Sequence, residues 1–350
     1  MPRIQYDALR DFAGRLFRAG GMPERDGGLL AELLAKADLR GYTGHGTCRV
    51  GPYLAWINDG TTQISEKPSV LRESKTTAVI DAKHYIGQIA AYDAMKVAVE
   101  KAKQHGVGIV ALRRAGHVGR LADYMELAAD EGMIGFGAVC VGSGSVTLYG
   151  GMERITGTNP MSFGIPARSG AHIVLDFATS SMSMGEIQKR EGRGEPIPEG
   201  AMLDGYGKPT KSVKTFRGPP RGVLLPFGGY KGSGLNVVTE ILAGILTGSG
   251  SGRAWWDKGG HAVNGVILQA IAVEEFQPLD EFFDGVDEFA ERAKKIKIAP
   301  GFEEVLLPGE RARKIEAKQL KQGVEIDEPT WNALLEVASE LRVGDTPRPL

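Results

Sequence analysis

Short runs of β-branched residues alternate with amphipathic segments in the middle of this chain. The runs TTAVIDA, VGIVALRR and MIGFGAVC each have the length of a strand. The two segments between them, 90–104 and 121–131, have apolar residues at helical spacing. Two more strand-like runs follow around GTNP and IVLDF. Strands that alternate with helices indicate a mixed α/β fold, and this pattern constrains the architecture more than any other feature of the sequence.

Helical patterns occupy both ends of the chain. Residues 4–41 have helical spacing that is broken at GGMP, which predicts a helical hairpin. A third helix is expected to begin near Pro52, because proline is well placed in the first turn of a helix. The remaining expectations are helices at 234–246, 280–297, 311–322 and 329–342, a strand at VNGVILQAIAVEE, and a long functional loop at 185–226.

These patterns divide the chain into three regions. We expect a helical N-terminal region at 1–75 that packs with the C-terminal helices at 300–350. The α/β region at 76–299 lies between them. A chain of 350 residues is long enough to bury a substantial core in this way.

The charge balance argues against large polyanionic partners. There are 42 basic and 43 acidic side chains, so the formal net charge is −1 and no overall field attracts nucleic acid or an anionic membrane. The basic residues within 311–322 are more typical of a solvated helix face than of a nucleic-acid site. We therefore expect a small-molecule substrate as the partner.

The cysteines and the N-terminus indicate the compartment. Cys48 and Cys140 are too few for a disulfide framework, and neither belongs to a cluster with metal-ligand spacing. The N-terminus has no signal-peptide pattern, and no apolar run approaches the roughly 18 residues of a membrane helix. We expect a soluble cytoplasmic protein whose chemistry needs no metal.

Glycine occupies 49 positions, yet the familiar glycine motifs are missing. The sequence contains no complete GxGxxG, GxxxxGK[ST], GxSxG or HExxH, so an ordinary Rossmann half, a P-loop, an esterase elbow and a zinc-protease helix are unsupported. Four short clusters with polar or titratable residues stand out instead: GHGTCR, GHVGRLADY, LDFATSS and PFGGYKGSGL. The excess of glycine is then explained by loops that approach a ligand closely.

GHGTCR places His45 and Arg49 four residues apart. If the stretch is helical, the two side chains share a face that suits a 2-oxo or 2-hydroxy acid. Arginine can bind the carboxylate through two hydrogen bonds, while histidine exchanges a proton with the neighbouring oxygen. The alternative is a structural histidine beside a surface arginine.

The other three clusters suggest contacts to phosphate. His117 follows a strand, and Gly119 and Arg120 at the next helix start can offer N–H groups and a cation; an ordinary capped turn is the alternative. LDFATSS ends a strand at Asp176 and then offers hydroxyl groups in a turn of a common kind. Lys231 is enclosed by glycines, which favours a ligand that comes close to the backbone. We interpret the remaining histidines as structural or solvated: His84, His105, His172 and His261.

Taken together and in order, seven segments resemble the type-2 malate/L-lactate dehydrogenase family, which includes ureidoglycolate and sulfolactate dehydrogenases. They are GHGTCRVGPY, GHVGRLADY, GTNPMSFGIP, LDFATSSMSMG, GEPIPEGAMLDGYGKPT, LLPFGGYKGSGL and LLPGE, and the resemblance spans about residues 5–342. HVGRLADY is most similar to the hydroxycarboxylate dehydrogenase branch. The resemblance implies an NAD(P)-dependent homodimer with a largely antiparallel mixed sheet, flanking helices and a non-Rossmann nucleotide-binding fold. It also implies that the α/β region at 76–299 binds the NAD(P) and carries out catalysis.

The resemblance also implies roles for individual residues. His45, His117 and Arg49 are the catalytic candidates: one histidine moves the proton and the arginine lies on the substrate side. The implied cofactor contacts are His45, Gly119, Arg120, Leu121, Asp176, Phe177, Ala178, Thr179, Ser180, Tyr230, Lys231, Asn264, Pro308, Gly309, Glu310 and Arg311. The sequence departs from the family at Gly44, where serine is usual, and at Tyr230, where related branches often have histidine.

We therefore predict reversible hydride transfer between the nicotinamide of NAD or NADP and C2 of a small 2-hydroxy acid. One alternative is a reductase of cyclic imino acids such as Δ1-piperideine-2-carboxylate, which would protonate nitrogen rather than oxygen. A second alternative is a nucleotide-binding protein without catalysis.

Overall fold

The computed structural model describes residues 1–252 and 263–350, and they form two compact units. The first unit comprises Met1–Glu66, Ala167–Ile173 and Gln277–Leu350, and the second comprises Lys67–Pro166 and Val174–Phe276. His261, interpreted above as structural or solvated, lies outside the described residues. The division at 75/76 and 299/300 stays a prediction from the sequence pattern.

The strands are β1 (Arg3–Ile4), β2 (Ser69–Glu73), β3 (Thr77–Asp81), β4 (Val107–Ala115), β5 (Met133–Val141), β6 (Met161–Ile165), β7 (Ile173–Phe177), β8 (Met202–Leu203), β9 (Val223–Leu224), β10 (Asn264–Ala272) and β11 (Val324–Glu325). The α-helices are α1 (Tyr6–Ala19), α2 (Glu24–Leu39), α3 (Val50–Asn58), α4 (Gly87–His105), α5 (Ala122–Asp130), α6 (Met184–Arg193), α7 (Val213–Arg217), α8 (Tyr230–Thr239), α9 (Leu279–Lys294), α10 (Glu310–Gln322) and α11 (Glu328–Glu340).

The second unit is built on a seven-stranded sheet in the order β2-β3-β4-β10-β5-β6-β7. Strands β3 and β4 pair in parallel, whereas β2–β3, β4–β10, β10–β5 and β5–β6 are antiparallel. The expected mixed α/β fold with a largely antiparallel sheet and flanking helices is therefore confirmed. Strand β10 is apolar along most of its length because it is central in the sheet and its side chains are largely buried.

Helices α4 and α5 supply the apolar core on one face of this sheet. Met95 and Met125 are fully buried, and they belong to one cluster with Leu112 of β4 and Leu268 of β10. Burial of each such side chain stabilises the fold by about 2 kcal/mol. A second cluster joins Cys140 of β5 and Ile267 of β10 to the helical segment that follows α8. Both faces of the central strands are therefore covered.

The first unit brings the two ends of the chain together. Strand β1 pairs with β11, with Arg3 opposite Glu325. Helices α1 and α2 form the predicted hairpin, and Leu9, Phe12 and Leu16 of α1 are completely buried. The side chain of Gln319 in α10 donates hydrogen bonds of 2.9 Å to the carbonyl oxygens that end α2. Residues near the C-terminus thus fix the end of the second helix.

One local prediction was wrong, and two predicted helices are present with different bounds. The stretch 185–226 is not simply a loop, because it contains most of α6 together with α7 and a small hairpin of β8 and β9. Ile187 and Phe216 are buried in a small core of its own, formed by residues too widely spaced to show a period. The helix expected at 234–246 starts at Tyr230 and continues beyond Thr239 as a π-helical segment, Glu240–Ile245. Helix α3 begins at Val50, before Pro52.

No helix in the described part of the chain is long and apolar enough to cross a membrane.

Candidate active site

The turn after β4 carries His117 and is held on both sides. Asn264 Nδ2 donates a hydrogen bond of 2.9 Å to the carbonyl oxygen of Gly116, and Tyr124 Oη donates one of 2.5 Å to that of Val118. Asn264 is buried, so its amide fixes the backbone beside the histidine. The imidazole of His117 is half-buried. Two hydrogen-bonded neighbours thus fix the turn on which the proposed proton-transfer residue lies.

Arg120, in the same turn, is buried against Asp123. Their side chains are each 4% exposed, and Arg120 Nη2 lies 2.5 Å from Asp123 Oδ1. A buried ion pair of this kind fixes the start of α5, because separating it would leave a charge without compensation. The guanidinium therefore stabilises the turn, and its direct contact with a phosphate stays a prediction.

Asp176 joins the end of β7 to the start of α5. Its Oδ2 accepts a hydrogen bond of 2.9 Å from the backbone N–H of Ala122. Burial raises the pKa of Asp176 from its ordinary value of 3.8 to about 6, although this hydrogen bond and the charge of Arg120 act in the opposite direction. The structure thus brings the LDFATSS and GHVGRLADY clusters together.

The residues after Asp176 run beside the segment that leads to Lys231. Thr179 accepts a hydrogen bond of 3.1 Å from the backbone N–H of Phe227 through its carbonyl oxygen, and Ser181 N–H donates one of 2.8 Å to the carbonyl oxygen of Leu225. Lys231 follows in the first turn of α8 and is exposed, like its neighbour Tyr230. An exposed cation at a helix start is suited to binding a phosphate.

A cavity of about 760 Å³ opens beside this segment and was not expected from the sequence. Its walls include the backbone of Gly228 and Gly229 and the side chains of Tyr149, Tyr206 and Phe227. Tyr149 and Tyr206 are largely exposed. Their only signal in the sequence was that they are aromatic residues among glycines.

In the first unit, GHGTCR forms two 3₁₀ turns, Thr43–His45 and Thr47–Arg49, that are interrupted at the extended residue Gly46. His45 and Arg49 therefore do not share one helical face as expected. Arg49 Nε instead donates a hydrogen bond of 2.8 Å to the carbonyl oxygen of Gly44. Residue 46 must be glycine in this conformation, because a Cβ atom there would lie 1.8 Å from Asp38 Oδ1.

Asp38 supports this turn and was not predicted from the sequence. It is 2% exposed, and its Oδ2 accepts hydrogen bonds from the backbone N–H of Thr47 at 2.7 Å and from the Thr47 hydroxyl at 2.6 Å. The carboxylate of Asp38 thus stabilises the turn between His45 and Arg49 through its hydrogen bonds to Thr47. An aspartate inside an apolar helical pattern was the available signal.

The segment 308–311 also lies in the first unit, at the start of α10. Gly309 has a φ of 90° and precedes Glu310, whose carboxylate accepts a hydrogen bond of 2.8 Å from the backbone N–H of Leu307. Burial alone would raise the pKa of Glu310, but hydrogen bonds from Lys294 and from Leu307 N–H lower it below its ordinary value. Glu310 is therefore a structural cap of its own turn.

The predicted catalytic and cofactor-binding residues thus fall into two groups. His45, Arg49 and 308–311 belong to the first unit, whereas 117–121, 176–180, Tyr230, Lys231 and Asn264 belong to the second. Within the second unit, direct hydrogen bonds join 116–122 to Asn264 and to Asp176, and join 179–181 to 225–227. In residues 1–252 and 263–350 no group of three or more His, Cys, Asp or Glu side chains is arranged to hold a metal ion.

The largely antiparallel sheet differs from the parallel sheet of a Rossmann fold, and comparison with known proteins gives the family. The profile described as malate/L-lactate dehydrogenase matches residues 4–335, so the chain belongs to the malate/L-lactate dehydrogenase family. The malate dehydrogenase of Pyrococcus abyssi is 36% identical over 98% of this chain and 95% of its own. The resemblance inferred from the seven segments is therefore confirmed.

Solved structures support the same assignment. The malate dehydrogenase from Entamoeba histolytica superposes with a TM-score of 0.93 at 29% identity, covering 98% of this chain and 99% of its own. The Δ1-piperideine-2-carboxylate reductase from Pseudomonas syringae superposes with a TM-score of 0.83 at 29% identity, covering 97% of this chain and all of its own.

Proposed function

We propose that this protein is an NAD(P)-dependent oxidoreductase that interconverts a small 2-hydroxy acid and the corresponding 2-oxo acid. The observation that carries the proposal is that direct hydrogen bonds in the second unit join 116–122 to Asn264 and Asp176, and join 179–181 to 225–227, the segment that leads to Lys231. These elements include two helix starts and an exposed lysine, which are the groups that bind a pyrophosphate.

The residues present fit such a nucleotide. Gly119 has a φ of 64°, and a Cβ atom there would lie 1.9 Å from Gln88 Nε2, so the turn before α5 requires glycine at this position. Lys231 adds a cation at the start of α8. We assign binding of the phosphates to these two helix starts and to Lys231. The bound nicotinamide would donate a hydride to C2 of the oxo acid or accept one from the hydroxy acid.

The remaining chemistry is binding and proton transfer by side chains of this chain. We assign the substrate carboxylate to Arg49, whose planar guanidinium can donate two parallel hydrogen bonds to it. One of His45 and His117 holds the proton that the substrate oxygen gains or loses. An ordinary imidazole has a pKa of about 6.5, so it can act in both directions near neutral pH.

The decisive experiment is turnover by the purified protein with NADH and with NADPH on pyruvate and oxaloacetate. We expect reduction of at least one of them with one of the two cofactors. His45→Ala and His117→Ala should each be assayed beside His105→Ala, a matched control because His105 is an exposed residue at the end of α4. We expect a loss of about 100-fold or more in kcat for the proton-transfer histidine and none for the control.

Absence of turnover on every acid, or wild-type rates in both site variants, would contradict the proposal. Saturable binding of NADH without any turnover would instead favour a nucleotide-binding protein without catalysis. These outcomes separate an enzyme from a binding protein.

A second candidate is reduction of a cyclic imino acid, favoured by the structural similarity to the piperideine-carboxylate reductase. Such a substrate presents the same carboxylate to Arg49 but receives its proton on nitrogen. Comparison of kcat/KM on Δ1-piperideine-2-carboxylate and on the oxo acids distinguishes the two. A ratio above ten in favour of the imine would select this candidate.

We further propose that the enzyme is a cytoplasmic homodimer. Val238, Ile241, Ile245 and Leu246, on α8 and the segment after it, are 47–63% exposed, and exposed apolar clusters on this scale mark interfaces. Cys48 and Cys140 form no disulfide, which suits a reducing compartment.

Light scattering tests the oligomeric state. The wild type should have twice the mass of one chain, and Ile241→Glu should shift the measured mass towards that of the monomer. Leu320→Glu is the control because Leu320 is also exposed but lies on the different helix α10; a monomeric wild type would contradict the proposal.

A further inference from the structure

A buried carboxylate lies on the helical segment that follows α8. Glu240 is 7% exposed and begins the π-helical segment that continues α8. Its Oε2 accepts a hydrogen bond of 2.7 Å from Asn159 Nδ2, and its Oε1 accepts one of 2.7 Å from the backbone N–H of Gly252. The thiol of Cys140 lies 3.4 Å from Oε2 as a weaker donor. Both carboxylate oxygens are thus engaged by donors.

The side chain of Asn159 also forms a hydrogen bond through its oxygen atom, on the side away from Glu240. It is completely buried, and its Oδ1 accepts a hydrogen bond of 3.0 Å from the backbone N–H of Val141 in β5. Its φ is 37°, in the left-handed region that asparagine tolerates better than most residues. A strained backbone persists only where its surroundings enforce it, and here the enforcing partners are Glu240 and β5.

The pair is connected to the proposed cofactor segment through Thr179. The hydroxyl of Thr179 donates a hydrogen bond of 2.9 Å to the carbonyl oxygen of Asn159 and accepts one of 2.9 Å from Asn236 Nδ2. The carbonyl oxygen of Thr179 in turn accepts the N–H of Phe227, four residues before Lys231. Glu240 and Asn236 both belong to the helical run that Lys231 starts. One network thus links the end of LDFAT to the helix that carries the lysine.

We propose that Glu240 is a positioning residue that acts through Asn159 to hold Thr179 and Lys231 in the geometry that binds the cofactor. This inference rests on the proposed function, because it concerns the same site. The hydrogen bonds restrict the residue types: residue 240 must accept from Gly252 N–H, residue 159 must accept from Val141 N–H, and one of the two side chains must donate to the other. A carboxylate at 240 with an amide at 159 satisfies all three requirements, and so does the exchanged pair.

The exchanged pair provides the test. In Glu240→Gln the amide nitrogen must face either Asn159 Nδ2 or the N–H of Gly252, so one buried donor loses its acceptor. In Asn159→Asp a carboxylate oxygen replaces Nδ2 opposite Glu240 Oε2, so two acceptors face each other and the hydrogen bond between the two residues is lost. In the double variant, the glutamine at position 240 can donate to the aspartate at position 159 and accept from Gly252, while that aspartate still accepts from Val141. The double variant therefore remakes every one of these strong hydrogen bonds with the same total charge.

The measurement is the dissociation constant for NADH or NADPH, by quenching of protein fluorescence, at a temperature at which each variant is folded. We expect each single variant to bind about tenfold or more weakly and the double variant to bind within about threefold of the wild type. The KM for the cofactor should rise more than kcat falls. Cys140→Ala is the matched control, because it alters the same buried neighbourhood without removing the bond between residues 159 and 240; we expect it to bind within about twofold of the wild type.

The outcomes distinguish failure of the positioning role of Glu240 from failure of the proposed NAD(P)-dependent function. If the wild type binds neither cofactor, the proposed function fails. If the wild type binds and folded single variants bind equally well, or Cys140→Ala weakens binding as much as they do, the positioning role is overturned. If the single variants do not fold, the double variant decides. A double variant that binds the cofactor with wild-type affinity supports the proposal. A double variant that folds but does not bind, or that does not fold, overturns the proposal.

Discussion

A Cβ atom on Gly119 would lie 1.9 Å from the Nε2 atom of Gln88, whose side chain is 2% exposed. The amide of Gln88 therefore occupies the space that any other residue at 119 would need. Since Gly119 also has a φ of 64°, the start of α5 is closed to larger residues for two independent reasons.

Gly119→Ala should weaken binding of the cofactor by about tenfold or more, because the displaced Gln88 forces the turn of His117 to move. Gly170→Ala is the matched control: Gly170 has a φ of 72°, but a Cβ atom there would meet no other group within 4 Å. Both variants carry a left-handed alanine at a cost of about 1 kcal/mol. Fluorescence titration with NADH and NADPH compares them, and equal affinity in the two variants would contradict the steric argument.

Asp38→Ala should lower kcat/KM by about tenfold or more. Both hydrogen bonds from Thr47 end on Asp38 Oδ2, and alanine leaves these two buried donors without that acceptor. Because Asp38 lies in the first unit, we expect the affinity for the cofactor to change less than the rate. Asp7→Ala, at an exposed position of α1, is the control. Kinetics and thermal unfolding of both variants test this, and an unchanged rate in Asp38→Ala would show that the turn of His45 does not depend on the carboxylate.

Arg49→Lys should raise the KM for the 2-oxo acid by about 10- to 100-fold, because a single ammonium cannot replace two parallel hydrogen bonds. The lysine should also lose the hydrogen bond from Nε to Gly44. Arg72→Lys, on the exposed strand β2, should leave all constants unchanged. Steady-state kinetics with varied acid and saturating cofactor provide the measurement. A rise confined to the KM of the cofactor would reassign Arg49 to the nucleotide.

Asp176 predicts a pH effect on stability. Because its pKa is raised to about 6 in the folded protein, the folded state binds more protons than the unfolded state between pH 4 and pH 6. The contribution of this residue to the free energy of unfolding therefore falls as the pH rises through that range and is constant above it. Asp176→Asn removes the titrating group and can still accept from Ala122 N–H.

The stability of Asp176→Asn relative to the wild type should rise between pH 4 and pH 6 and then level off. Urea unfolding at a series of pH values measures this difference, in which the other acidic groups cancel. A difference that is constant with pH would mean that the carboxyl is solvated in the folded protein.

The sequence predicted what local periodicity encodes. The runs TTAVIDA, VGIVALRR and MIGFGAVC became β3, β4 and β5, and the segment 90–104 lies within α4. The insertion of β10 between β4 and β5 was beyond prediction, because strand pairing depends on contacts far apart in the chain. The same applies to the buried groups: Asp38 beneath Gly46 and Glu240 beside Asn159 have no local pattern, and they became visible only when the fold placed their partners.

The central place of β10 has a consequence for synthesis. Strands β4 and β5 leave the ribosome long before residues 264–272, yet each lacks one of its two neighbours until β10 is inserted between them. The first unit likewise requires residues 277–350 to pair with the N-terminus. Neither unit can be completed until the last quarter of the message is translated. A growing chain therefore carries open strand edges through most of translation, so a prematurely terminated product would be exposed to aggregation and proteolysis.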